Sequence, residues 1–328
     1  MQNTRSIVVV LGTGGTIAGT AADPGDNVGY TAAQLGAAQL VADIPALAGV
    51  PIEVEQVAQI DSKDMGFEVW RALGERVAHH LARAEVAGIV VTHGTDTLEE
   101  TAWFLQRVLA PLKPVVLTGA MRPATALQAD GPQNLVDAVA VARLAGAQGV
   151  VAVMGGQVHG ARDVRKVHPY RIDAFGSGEA GLVGVVEESA LRQFRAWPQG
   201  VATGLGVLPL DAAHWPRVEI VTSHAGASGA IVRDLCAGGV RGLVVAATGN
   251  GTLHHQLEAA LIEAQGRGVP VLRSTCCADG HLVLGADDAL PSAGDLTPVK
   301  ARVELMLRLM ARGGQGESGS GVGGSAEP

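Results

Sequence analysis

The chain has 328 residues, 47% of them hydrophobic and 17% charged, with a formal net charge of -8 at neutral pH. That length exceeds a typical single domain and carries ample apolar material, so two domains are expected. The acidic balance, with no basic run and no basic patch interleaved with aromatics, argues against nucleic acid or an anionic membrane and for a small polar ligand.

The N-terminus, MQNTRSIVVVLGTGG, meets Gly and Thr too early for a secretory signal, and no later stretch has the length of a membrane span. With Met1 taken as the natural start, a cytoplasmic protein is expected. Cys236, Cys276 and Cys277 lack the spacing of a zinc site and read as reduced core residues. The adjacent pairs His79–His80 and His254–His255 point in different directions on a helix, so no metal is expected.

Ile7 to Leu11 reads as a strand buried on both faces. It ends in GTGGTIAGT, where glycines permit a tight turn and a close approach of backbone to a ligand, and where Thr16 presents a hydroxyl. A dinucleotide fingerprint would need glycine in place of Ile17, and no GK[ST] follows, so nucleotide loops are excluded. A loop through Asp23, Pro24, Gly25, Asp26 and Asn27 then leads to Tyr30.

Helical periodicity is expected from Leu35 towards Leu47, then an alternating strand from Ile52 to Ile60 that runs into the polar turn Asp61, Ser62, Lys63 and Asp64. Val69 to Leu81 reads as a helix. Ile89 to Val91 forms a buried strand, and Leu98, Ala102, Leu105 and Leu109 recur at helical spacing. Thr97 and Glu100 predict a capping box that starts this helix at Leu98. Thr92, His93, Gly94, Thr95 and Asp96 are left in the turn, at the carboxyl end of a strand, where open α/β sheets bind ligands. Helix capping alone is the alternative use for Thr95 and Asp96.

Val115 to Leu117 forms the next strand, ending in TGAMRP, and a helix starts at Pro132. Val150 to Met154 is a fifth strand, followed by a hairpin or bent strand bearing Lys166. Pro198 to Pro216 lacks periodicity and is assigned as a linker. Beyond it, strands at Val218–Val221, Gly242–Ala246 and Val269–Leu272 alternate with helices at Ser228–Ala237 and His254–Ala264. A last helix, Pro298–Ala311, precedes a Gly- and Ser-rich tail whose composition predicts disorder. The expected division is residues 1–197, a linker 198–216, residues 217–312 and a tail 313–328.

The set TGGTIAG, THGTDTLEET, VLTGAMRP, DGPQNL and RDVRK, in this order, resembles the bacterial L-asparaginase family with its glutaminase-asparaginases. The similarity runs from about Ile7 to the last helix. It implies a larger N-terminal and a smaller C-terminal α/β domain with mainly parallel sheets. It also implies a homotetramer of intimate dimers, no cofactor, and hydrolysis of L-asparagine through an acyl-enzyme, with glutaminase or broader amidase activity as the nearest variant. A non-catalytic amino-acid sensor with the same pocket is the rival reading.

By the same resemblance Thr16 matches the nucleophile and Tyr30 the loop tyrosine that supports it, while Thr95, Asp96 and Lys166 match an inner triad. Ser62 matches the partner of the substrate carboxylate and Asp96 that of its amino group. Gly15, Lys63, Thr95 and Ala120 are counted with them at the substrate. A threonine hydroxyl needs a base to become a nucleophile. Backbone N–H groups at Gly15 and Thr95 are expected to face the developing oxyanion.

Two departures bear on substrate choice. Lys63 stands where better-known members have glutamine, and Thr252 where they have asparagine. No glutamate lies between Glu263 and Glu304, where those members contribute one from the neighbouring subunit, which leaves Asp279, Asp287 and Asp288 as candidates. Lys63 is expected to point into the pocket, with an exposed turn lysine as the alternative.

Overall fold

A computed structural model of the protein describes residues 6–285 and 288–317, with side chains described up to Gly313. The chain forms two compact units, the first ending at Ala202 and the second beginning at Thr203. Both are α/β.

The first unit alternates strands and helices: β1 (Ile7–Gly14), α1 (Ala37–Ala42), β2 (Ile52–Ile60), α2 (Phe67–Leu81), β3 (Val86–Thr92), α3 (Leu98–Leu109), β4 (Val115–Thr118), α4 (Gly131–Ala142) and β5 (Val150–Met154). These strands are parallel neighbours in the order β2-β1-β3-β4-β5. Runs of Val, Ile and Leu fit the interior of such a sheet, since helices cover both faces. Val8, Val9, Val10 and Leu11 are all fully buried. In register, Gly12 pairs with Thr92, Thr92 with Thr118, and Gly14 with Ile60. The strands therefore end side by side, and the turns after β1, β2, β3 and β4 share one edge. The order reverses between β1 and β3, which is where open sheets of this kind form their ligand crevice.

Beyond β5 the chain departs from the parallel pattern. A strand β6 (Gln157–Gly160) pairs antiparallel with β5. A short ladder joins β7 (Arg165–Lys166) to β8 (Phe175–Gly176). The hairpin of β9 (Gly184–Glu187) and β10 (Ala190–Gln193) then completes an eight-stranded sheet among the described residues. That last hairpin was not anticipated: its four-residue strands carry exposed polar positions and no apolar alternation.

Helix α2 packs on α3 through Trp70 and Phe104, whose rings stack 4.9 Å apart at 13°. Burying each such ring contributes roughly 1.5–3 kcal/mol. Helix α3 begins at Leu98 as expected, but the Thr97 side chain makes no capping bond. Its hydroxyl donates instead to the Ser62 carbonyl at 2.8 Å, because the turn after β2 lies against it.

The second unit has three parallel strands, β11 (Val218–Thr222), β12 (Gly242–Ala247) and β13 (Val271–Thr275), with α5 (Ala230–Ala237), α6 (His255–Gly266) and α7 (Pro298–Glu317). Residues 198–216 contain two 3-10 turns, Leu205–Val207 and Ala212–His214. Helix α7 runs past the expected end at Ala311 to Glu317. The remainder of the expected tail, 318–328, and Asp287 lie outside the described residues. No described helix is long and apolar enough to cross a membrane. Cys236 is half-buried against the core of the second unit, whereas Cys276 and Cys277 are exposed and are not the core residues expected.

Candidate active site

The turns after β1 and β3 are pressed together at the point where strand order reverses. Gly15 has φ +83, and a Cβ there would run into the Gly94 backbone. Gly94 in turn has no room for a side chain beside the Ser62 hydroxyl. Glycine at both positions lets the Thr16 and Thr95 turns approach each other and lets both face one cavity.

That cavity measures about 300 Å³ and is lined on its polar side by Thr16, Tyr30, Thr95, Asp96 and Lys166. The Thr16 and Tyr30 hydroxyl oxygens lie 2.8 Å apart. The Lys166 ammonium donates to the Thr95 Oγ1 at 2.8 Å and to the Asp96 Oδ1 at 2.6 Å. Lys166 reaches them from β7, whose backbone N–H donates to the Glu99 carboxylate in the first turn of α3. Its side chain is 18% exposed, so the ion pair with Asp96 is partly withdrawn from water. The five residues singled out for chemistry by the sequence are thus brought together.

Of the residues expected to bind substrate, Thr95 and Asp96 line the cavity, whereas Gly15, Ser62, Lys63 and Ala120 do not. Ser62 is buried, and its hydroxyl accepts from the Asp96 backbone N–H at 3.2 Å, holding the turn from behind. Ala120 packs with Ile17 and Ala18 beneath the Thr16 turn. The Gly15 N–H donates to the Ile60 carbonyl at 2.9 Å, so it is already engaged and is not an oxyanion donor. The N–H groups of Thr16 and Thr95 have no acceptor among the described residues.

Lys63 does not line the cavity. Its side chain is 61% exposed, bonds to the neighbouring Asp64 and lies 3.9 Å from Asp61. Asp64, aided by Asp61 and Asp96, holds its ammonium firmly charged. The inward orientation expected from the sequence is therefore corrected to the surface one: two flanking carboxylates outcompete the pocket.

Behind the cavity His93 is fully buried, and burial pushes its imidazole down to about 4. The Trp70 indole donates to Thr101 Oγ1 at 2.8 Å, and Thr101 lies 2.9 Å from His93 Nε2. Because the indole can only donate, Thr101 passes its proton towards Nε2, and Nδ1–H donates to the Gly94 carbonyl at 2.7 Å. This chain fixes the Gly94 carbonyl next to Thr95.

Asp130 in the DGPQNL segment accepts from the backbone N–H groups of Met121 and Arg122 at 2.9 Å each. Asn134 joins Gly119 to Gly155 through its amide, at 3.0 and 2.9 Å. These two shape the turn after β4. Asn27, Val28, Met121, Pro169 and Tyr170 complete the cavity wall. Asn27 sits in the loop already expected to be near the site, and Met121 lies within the TGAMRP segment. Pro169 and Tyr170 lie in a segment without periodicity or a chemical motif to mark them in the sequence.

Models of two domain families match this chain: asparaginase, N-terminal, over residues 7–198, and glutaminase/asparaginase C-terminal domain, over residues 217–317. The chain belongs to the asparaginase family. It is 38% identical to a glutaminase-asparaginase of Pseudomonas fluorescens biotype A, over 92% of this chain and 86% of that one. Its identity to L-asparaginase 2 of Bacillus subtilis strain 168 is 36%, over 92% and 81%. A solved structure, a probable cytoplasmic L-asparaginase from Campylobacter jejuni, aligns with a TM-score of 0.84 at 36% identity, covering 93% of this chain and 95% of that one.

In the second unit of this asparaginase-family chain, Asp288 accepts from the buried Arg273 at 2.7 Å and from the Gly285 N–H, which holds its carboxyl below the usual range. Asp288 is thus committed to its own loop, whereas Asp279 is exposed. Thr252 bonds Thr248 across a tight turn, and Asn250 ties that turn to Val283 at 2.8 Å on both sides of its amide.

Proposed function

We propose that this protein hydrolyses L-asparagine to L-aspartate and ammonia, with L-glutamine as the nearest alternative substrate. What supports this reading is one cavity holding two hydrogen-bonded hydroxyls, Thr16 beside Tyr30 and Thr95 beside Lys166, which also pairs with Asp96. Thr16 Oγ1 attacks the amide carbon, and its proton passes through the Tyr30 oxygen to the departing nitrogen, which leaves as ammonia. An ester with Thr16 remains. The Thr95 hydroxyl, oriented by Lys166, positions a water that opens the ester, returning the proton to Thr16 and releasing the acid. The free N–H groups of Thr16 and Thr95 face the developing oxyanion, each such donor contributing roughly 3 kcal/mol in comparable sites.

The Asp96 carboxylate attracts the substrate ammonium. Neither a metal nor a cofactor enters this route. Membership of a family whose relatives are named for both asparagine and glutamine supports the amide class and leaves the preference to measurement. A cytoplasmic location and a homotetramer are part of the same proposal; the similar Campylobacter jejuni protein is named as probably cytoplasmic, and a Haemophilus influenzae relative as periplasmic. The test is ammonia release from each amide by the purified protein. Release that vanishes in Thr16→Ala supports the reading, and a wild-type protein that binds asparagine without releasing ammonia makes it a sensor instead.

A further inference from the structure

We infer that Tyr170, clamped by Arg122, is the residue that limits how long a substrate side chain the cavity accepts. This rests on reading the cavity as an amide-hydrolase site. Beside its polar groups the cavity is lined by Val28, Met121, Pro169 and Tyr170, so a substrate whose polar ends meet Thr16 and Asp96 has this lining for its methylene groups to lie against. Tyr170 is 49% exposed, which ordinarily leaves a ring free to swing. Here it is held from two directions.

From one side, Arg122 Nη1 donates to the Tyr170 carbonyl at 2.7 Å, and the guanidinium lies 4.2 Å from the ring centroid, a cation–π contact. Arg122 is itself anchored, since its backbone N–H is bound by Asp130 at 2.9 Å. From the other, His168 Nδ1 accepts from the N–H groups of Tyr170 and Arg171 at 3.0 and 2.9 Å. These bonds fix the turn that presents the ring. Bracing of this kind opposes retreat of the wall before an extra methylene. One methylene against a fixed apolar wall discriminates by roughly ten- to two-hundredfold. Asparagine and glutamine differ by that one group, so Tyr170 is placed to favour the shorter amide.

The experiment compares wild type with Tyr170→Ala, Tyr170→Leu and Tyr170→Phe. It reads kcat/KM for L-asparagine and L-glutamine, and Kd for the products L-aspartate and L-glutamate by calorimetry. The Ala and Leu variants should raise the glutamine to asparagine ratio about tenfold, and the L-glutamate to L-aspartate affinity ratio in the same direction. Tyr170→Phe keeps the ring over Arg122 and should leave both ratios within about twofold. Ratios unchanged in both Ala and Leu variants would overturn the role. If wild type releases ammonia from neither amide, the proposed reaction fails separately, and the product affinities alone decide: a shifted ratio upholds the length limit and an unshifted one removes it.

Discussion

The Lys166 ammonium lies 2.8 Å from the Thr95 hydroxyl and 2.6 Å from the Asp96 carboxylate, although 70 residues separate it from the latter. Replacing it with Met removes the charged donor and keeps most of the length of the side chain. The expected outcome for Lys166→Met is a fall in kcat of about a thousandfold with KM changed little, the mark of an interaction made chiefly in the transition state. An effect confined to KM would reduce Lys166 to a positioning charge.

Tyr30→Phe takes away the oxygen 2.8 Å from Thr16 and leaves the ring. Steady-state rates should show kcat lowered about a hundredfold, the loss of one proton-transfer partner. A variant with unaltered kcat would mean that the Thr16 proton leaves by another route.

For Lys63→Gln the surface orientation sets the expectation. The lysine pairs with Asp64 in water, where solvent screening leaves such a pair little energetic weight. KM for both amides should change by less than about threefold. A larger shift, or a changed asparagine to glutamine ratio, would show that the side chain turns inward when substrate binds.

His93 gives a pH signature. Its imidazole is pushed down to about 4 by burial, below the ordinary 6.5, so the folded protein resists a proton that the unfolded chain accepts. Above about pH 6.5 both states hold it neutral and this stability is fully present; as pH falls towards 4 the unfolded state gains the proton alone, and about 3 kcal/mol is lost. Denaturant midpoints across that window should fall, and the imidazole resonance of His93 should titrate near 4. Titration near 6.5 would contradict the buried, neutral assignment.

Much of this was legible in the chain itself. The β2 strand matches its expected bounds of Ile52 and Ile60 because alternation and a following polar turn mark both ends. Thr16, Thr95, Asp96 and Lys166 were visible as polar residues in turns after strands or within a distinctive segment. What escaped depended on contacts between turns. The Thr97 hydroxyl left its own helix for the Ser62 carbonyl, and the Gly15 N–H went to Ile60; neither partner is near in sequence. Lys63 was drawn outward by adjacent carboxylates, a competition that spacing alone cannot rank. Tyr170 sits on a turn organised by the His168 imidazole, a local bond without a periodic pattern behind it.

In the proposed reaction Thr16 forms the bond to the substrate. Its hydroxyl faces the cavity beside Tyr30, and alanine there removes little packing, since the residue lies in a turn supported by Ile17 and Ala18. The decisive measurement is kcat for L-asparagine in Thr16→Ala, with folding verified by an unchanged thermal midpoint. A nucleophilic Thr16 requires a loss of at least about a thousandfold; a kcat within about tenfold of wild type would contradict that role.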